Sequence, residues 1–130
     1  MNKLLRLAIS LSIGCVLAIV ITKIATVAAL RFWPDYAAAS PSKAYSFVML
    51  VSRLAVGAAA VAAGASVATV IARDNGTAAW LLGTISLAIS LPIHLYSVWA
   101  DYPVWYHIVY LGYLVPLAGL AGRMTRRRSA

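Results

Sequence analysis

Charge is what this sequence is short of. Only 11% of its 130 residues are Asp, Glu, Lys or Arg, where a soluble domain carries about a quarter, and so few charges cannot coat a surface that faces water. Acids are the scarcest, three against eleven Lys and Arg. They are Asp35, Asp74 and Asp101, and all three stand between apolar runs. That scarcity removes paired carboxylates as a catalytic device, and no Ser-His-Asp grouping or metal motif stands at a convincing spacing. Cysteine occurs once, at Cys15 inside the first apolar run. An intramolecular disulfide, a CxxC pair and a Cys/His zinc set are therefore excluded, and Cys15 reads as a small buried apolar side chain. The chain is not expected to be an enzyme, and no catalytic residue, metal or cofactor is indicated.

What the sequence has in quantity is hydrophobic residues, 63% of the chain. A membrane-crossing helix needs about 20 largely apolar residues in a row. Four such runs are present, at about residues 4–30, 44–72, 78–99 and 104–122, followed by a basic tail at 123–130. The runs are too long for barrel strands and do not alternate. Lys3 and Arg6 before the first run resemble a signal-peptide start, but the run is too long and no cleavage site leads into polar sequence, so it reads as a retained helix. Between runs lie ordinary breakers: Pro34, Ser40 and Pro41 in the first link, Asn75-Gly76-Thr77 in the second, and Asp101-Tyr102-Pro103 in the third. Thr77 and Asp101 are expected to cap the helices that follow. Links this short force antiparallel neighbours. The expected fold is a single all-α domain, an integral membrane four-helix up-down bundle.

Orientation follows from the cations. Lys3, Arg6, Arg73, Arg123 and Arg126 to Arg128 fall on one side, and Lys23, Arg31, Lys43 and Arg53 on the other. The positive-inside rule places the first group, and with it both termini, in the cytoplasm. The net charge of +8 is thereby read as a topology signal and an attraction to anionic lipid, since no basic stripe interleaved with aromatics suggests nucleic acid. Trp33, Tyr36, Tyr45, Trp99, Tyr102, Trp105 and Tyr106 gather on the opposite side, with Trp80 alone on the cytoplasmic side. Such rings sit at head-group depth.

Small residues predict how the helices meet. Ala60, Gly64 and Ala68 recur four apart in the second helix, beside the row Ala58, Ala62 and Ser66. Rows of this kind let backbones approach closely, which is how helices associate in lipid. Ala118 and Gly122 in the fourth helix and Ser86 and Ser90 in the third extend the pattern. Pro92 and Pro116 each remove a backbone donor and predict kinks.

One constellation could carry function. Lys23, Arg53, His94 and His107 share the non-cytoplasmic depth, with Tyr106, Tyr110 and Asp101 as support. His94 and His107 stand equally far from the third turn and so should lie at the same depth on antiparallel helices. Ser86, Ser90, His94 and Ser97 recur at spacings of four and three, on one helix face, and Tyr102, Tyr106, Tyr110 and Tyr113 form a stripe on the next. Intramembrane ionisable groups are functional candidates, although Lys23 and Arg53 stand close enough to the boundary to reach head groups or water. If they mark that boundary, the apolar stretches 24–33 and 44–52 run past it and fold over the bundle or meet a partner.

The expected function is binding or assembly, through a cationic and aromatic periplasm-facing rim for a lipid, an anionic amphiphile or a partner subunit. Two alternatives stand beside it: a homo-oligomeric small-solute transporter or channel, and a redox subunit holding haem through His94 and His107. The expected partners are membrane lipids and either further copies of the chain or a larger membrane complex.

The opening Met1-Asn2-Lys3-Leu4-Leu5-Arg6, the second helix rich in small residues, and the ending from Leu114 to Arg123 resemble small bacterial four-helix membrane proteins of unassigned function. The resemblance spans most of the chain. It implies a bacterial inner-membrane location, and it brings no activity and no site residues.

Overall fold

The structure, a computed structural model, describes residues 1–129. Five α-helices follow one another: α1 (Lys3–Phe32), α2 (Pro34–Ala39), α3 (Phe47–Ala72), α4 (Thr77–Pro92) and α5 (Val104–Ser129). A π-helical turn, Ile93–Ser97, continues α4, and a 3-10 turn, Trp99–Asp101, precedes α5. The four spans α1, α3, α4 with its π turn, and α5 are each long and apolar enough to cross a membrane. Among the described residues there is no strand.

Local chemistry sets the ends. Asn2 opens α1, its Oδ1 accepting from the Leu4 and Leu5 amides at 2.7 and 3.3 Å. Pro34 closes it, because the residue before a proline is driven out of the helical region, and Trp33 is extended at φ −122°. The same proline suits the first turn of a new helix, so the expected first loop contains α2. The second span starts at Phe47 rather than at residue 44, because Ser46 Oγ accepts from the Met49 amide.

The second and third turns are closed differently from expectation. Arg73 ends α3 in the left-handed conformation, φ 53°. Asp74 then accepts from the amides of Gly76 and Ala78, both at 2.9 Å. Thr77 is consequently the first helical residue and not the cap. Asp101 caps nothing: its carboxylate lies 3.4 Å from Lys43 Nζ. The fourth helix continues past Gly122, so the basic tail through Ser129 is helical. Arg and Met are good helix formers, and cations suit a helix C-terminus. Residue 130 of the expected tail lies outside the described residues.

Helix α1 lies against α3, α3 against α4 and α5, and α4 against α5. Small residues make the crossings. A Cβ on Gly64 would stand 2.6 Å from the Gly14 carbonyl oxygen, and one on Gly83 would stand 2.8 Å from the Ala118 Cβ. The expected row Ala60, Gly64 and Ala68 is buried, and the row beside it half-buried. Burial along α1 runs opposite to that of a soluble helix: Ser10 and Gly14 are buried while Ile13, Ile19, Ile24 and Val27 are exposed. Large apolar residues outside and small ones at the contact are what lipid as the solvent demands.

Near the link side of the bundle the packing turns aromatic. Leu50, Leu54 and Tyr106 form a second core, flanked by Tyr45, Tyr102, Tyr110 and Tyr113. Helix α2 folds against this end and places Tyr36 there, 2% exposed.

Candidate ligand-binding site

Arg53 stands one and a half turns into α3, half-buried, and its guanidinium is held by tyrosines. Nη1 donates to the Tyr36 hydroxyl at 2.6 Å, Nη2 to Tyr102 at 3.0 Å and Nε to Tyr106 at 3.4 Å. The Tyr45 and Tyr102 rings lie 5.1 and 5.3 Å from its Cζ, in cation–π range. Among the described residues the one ion pair is that of Lys43 with Asp101, so no carboxylate neutralises this cation.

The cage is built from donors. A guanidinium has five N–H groups, and three are used on tyrosine oxygens. Each of those hydroxyls accepts from Arg53 and keeps its own proton for another acceptor. Neutral hydroxyls and ring faces hold the guanidinium in place without cancelling its charge. Burial raises the Tyr102 phenol above its ordinary range, and this outweighs the opposing pull of Arg53.

Arg53, Tyr36, Tyr106, Tyr110 and His94 line one cavity of about 180 Å³, closed on the other side by α1 residues such as Thr22 and Thr26. The Thr22 and Thr26 hydroxyls bond carbonyls of their own helix.

His94 and His107, expected at one depth, are in direct contact. Their Nδ1 atoms lie 2.7 Å apart, and His107 Nε2 lies 3.1 Å from the Trp99 carbonyl oxygen. A carbonyl only accepts, so His107 carries its proton on Nε2 and offers the Nδ1 lone pair. His94 therefore donates from Nδ1, and its Nε2 is left as an acceptor. Every buried side-chain nitrogen or oxygen among the described residues has a partner. The unpartnered Nε2 of His94 accordingly faces open space, in a residue that lines the cavity. Tyr110 stacks on the His94 ring at 4.7 Å, and Trp99 on the His107 ring at 4.7 Å.

This contact bears on haem. Two axial imidazoles reach about 4 Å across an iron, and these two close on one another at 2.7 Å with both facing nitrogens engaged. Within one chain the pair is a hydrogen bond, not an open ligand set.

Of the expected site residues, Arg53, His94, Tyr106 and Tyr110 share the cavity, and His107 supports His94 from behind. Lys23 is exposed and lines a neighbouring cavity instead. Asp101 is exposed and tied to Lys43. Ser97 is also exposed: the π turn closes with the Val98 amide on the Ile93 carbonyl, and its wider turn breaks the phase of the face carrying Ser86, Ser90 and His94. The residues missing from the expected set are Tyr36, Tyr45, Tyr102 and Trp33. Their signal is in the sequence, as aromatics collected at one depth, which is equally the pattern of an interfacial belt. No protein-family model, no curated protein and no solved structure matches this chain.

Proposed function

We propose that this is a bacterial inner-membrane binding protein whose Arg53 cage receives the acidic head group of an amphiphile. One observation carries the reading: a guanidinium without a carboxylate partner is fixed by three tyrosine hydroxyls at the wall of a cavity. Holding a cation in place without neutralising it leaves its field for a ligand, and an anion is the complement. The aromatic depth at which the cage stands is that of lipid head groups. Both termini are cytoplasmic in this reading, because the larger set of cations lies at their end, and the cage faces the periplasmic side.

The test of binding is native mass spectrometry of protein released from its own membrane in mild detergent. Wild type is expected to carry an acidic amphiphile that Arg53→Met loses. Identical adducts on the two proteins would overturn the reading. The copy number seen in the same spectra tests the accompanying proposal of self-association, which is motivated by the exposed Phe47 and Val48, in the apolar stretch 44–52 that runs past the boundary marked by Arg53. Topology is tested separately in a Cys15→Ser background. An impermeant maleimide is expected to label Ser42→Cys on spheroplasts and Arg128→Cys only after lysis.

A further inference from the structure

A second cavity, of about 320 Å³, adjoins the first between α1, α3, α4 and α5. The two share Thr22, Gly57 and Tyr110. Gly57 packs closely against α5 at that border: a Cβ there would stand 2.5 Å from the Tyr113 hydroxyl and 3.1 Å from the Tyr110 ring. Beyond that border the walls are mostly apolar, with Ile19, Val61, Ile89 and Leu114; Cys15 also lines the space, and the exposed Lys23 stands at its edge. Cys15 follows Gly14, which crosses Gly64. Gly64 is three turns along α3 from Arg53, about 16 Å.

From this adjacency we infer that the occupant is a single-chain amphiphile with a carboxyl head, the carboxyl at Arg53 and the chain running past Gly57 toward Cys15. The inference rests on the reading of Arg53 as a head-group site. Three features select the class. The cage holds one cation without a counter-charge, which matches a monoanion. A carboxylate carries that single charge, where a phosphate monoester carries roughly 1.5 to 2 at neutral pH, and its two oxygens accept from the guanidinium N–H groups that the tyrosines leave free. The two cavities share one border, at Thr22, Gly57 and Tyr110, which is the course assigned to a single chain.

The test uses the full chain in maltoside micelles, with bound acid counted by native mass spectrometry. Cys15 is the protein's one thiol, and its alkylation by N-ethylmaleimide reports whether the second cavity is filled. Palmitate is expected to bind and to slow alkylation about tenfold, because thiol reactivity follows access. Octanoate, too short to reach Cys15, is expected to bind without slowing it, and hexadecanol to do neither. Ser86→Phe, which fills the apolar cavity from α4, should keep octanoate binding and abolish protection by palmitate. Arg53-dependent binding of palmitate with unchanged alkylation would overturn the chain assignment and leave the head-group reading standing. Protection by hexadecyl phosphate where palmitate gives none would overturn the carboxyl. Failure of every acid to bind would remove the head-group reading itself.

Discussion

His94 and His107 face one another through their Nδ1 atoms at 2.7 Å, and the Trp99 carbonyl determines which of the two donates. The ring nitrogen that results, His94 Nε2, is an acceptor on a residue that lines the cavity with Arg53, Tyr36 and Tyr106. A backbone carbonyl made available by the 3-10 turn after α4 thereby sets the hydrogen-bonding character of a side chain in the site.

This chain of donors makes a spectroscopic prediction. Nitrogen-15 correlation spectra of the two imidazoles should show His107 protonated at Nε2 and His94 at Nδ1, the latter being the less common tautomer of a free imidazole. Replacing His107 by Phe removes the acceptor and should return His94 to a mixture. Finding His94 protonated at Nε2 in the wild type would contradict the arrangement.

Tyr36 joins α2 to the bundle through the 2.6 Å bond from Arg53. Hydrogen bonds to charged groups contribute about 1.5–3 kcal/mol, so Tyr36→Phe should lower stability by roughly that range. The loss should also be local, with amide exchange quickening over residues 34–43 while the Gly14–Gly64 crossing stays protected. Exchange and thermal unfolding in detergent measure the two effects.

The crossing of α1 and α3 tolerates no added atom. Gly64→Ala places a Cβ against the Gly14 backbone, which cannot turn aside as a side chain could, and should cost about 1–3 kcal/mol. Gly112 supplies the control, for a Cβ there meets nothing within 4 Å. Gly112→Ala in the helical interior of α5 should raise stability by about 0.5–1 kcal/mol. Thermal melts of the two variants should move in opposite directions.

Tyr102 predicts an alkaline limit. Burial raises its phenol above the ordinary value of 10.0, so the folded state holds the proton more tightly than the unfolded state. That contribution is fully present below pH 10.0 and is lost as the pH climbs through the folded value. The phenolate difference spectrum between wild type and Tyr102→Phe should rise above pH 10.0. A rise at or below it would mean that Arg53 outweighs burial.

Much of the architecture is written in local pattern. Four long apolar runs, short links with Pro and Gly, and the row Ala60, Gly64, Ala68 point to an antiparallel helical bundle, because runs long and apolar enough to cross a membrane satisfy their backbone as helices and small residues let those helices pack closely. The depth match of His94 and His107 is legible for the same reason, since equal distances from a tight turn imply equal height. What local pattern could not supply is lateral direction. Arg53 at a boundary looks like a side chain reaching for water, and Tyr36, Tyr45 and Tyr102 look like a belt. Only packing turns α2 back over the bundle and points those rings at one guanidinium. Only the π turn after Pro92 takes Ser97 off its helix face, and only the fold sends Lys23 to a different cavity and Asp101 to Lys43. Sequence determined the helices and their depths because those depend on solvent and on neighbours along the chain. The tertiary structure decided the site, because that depends on which faces meet, and four residues on three separate segments had to converge before Arg53 acquired its cage.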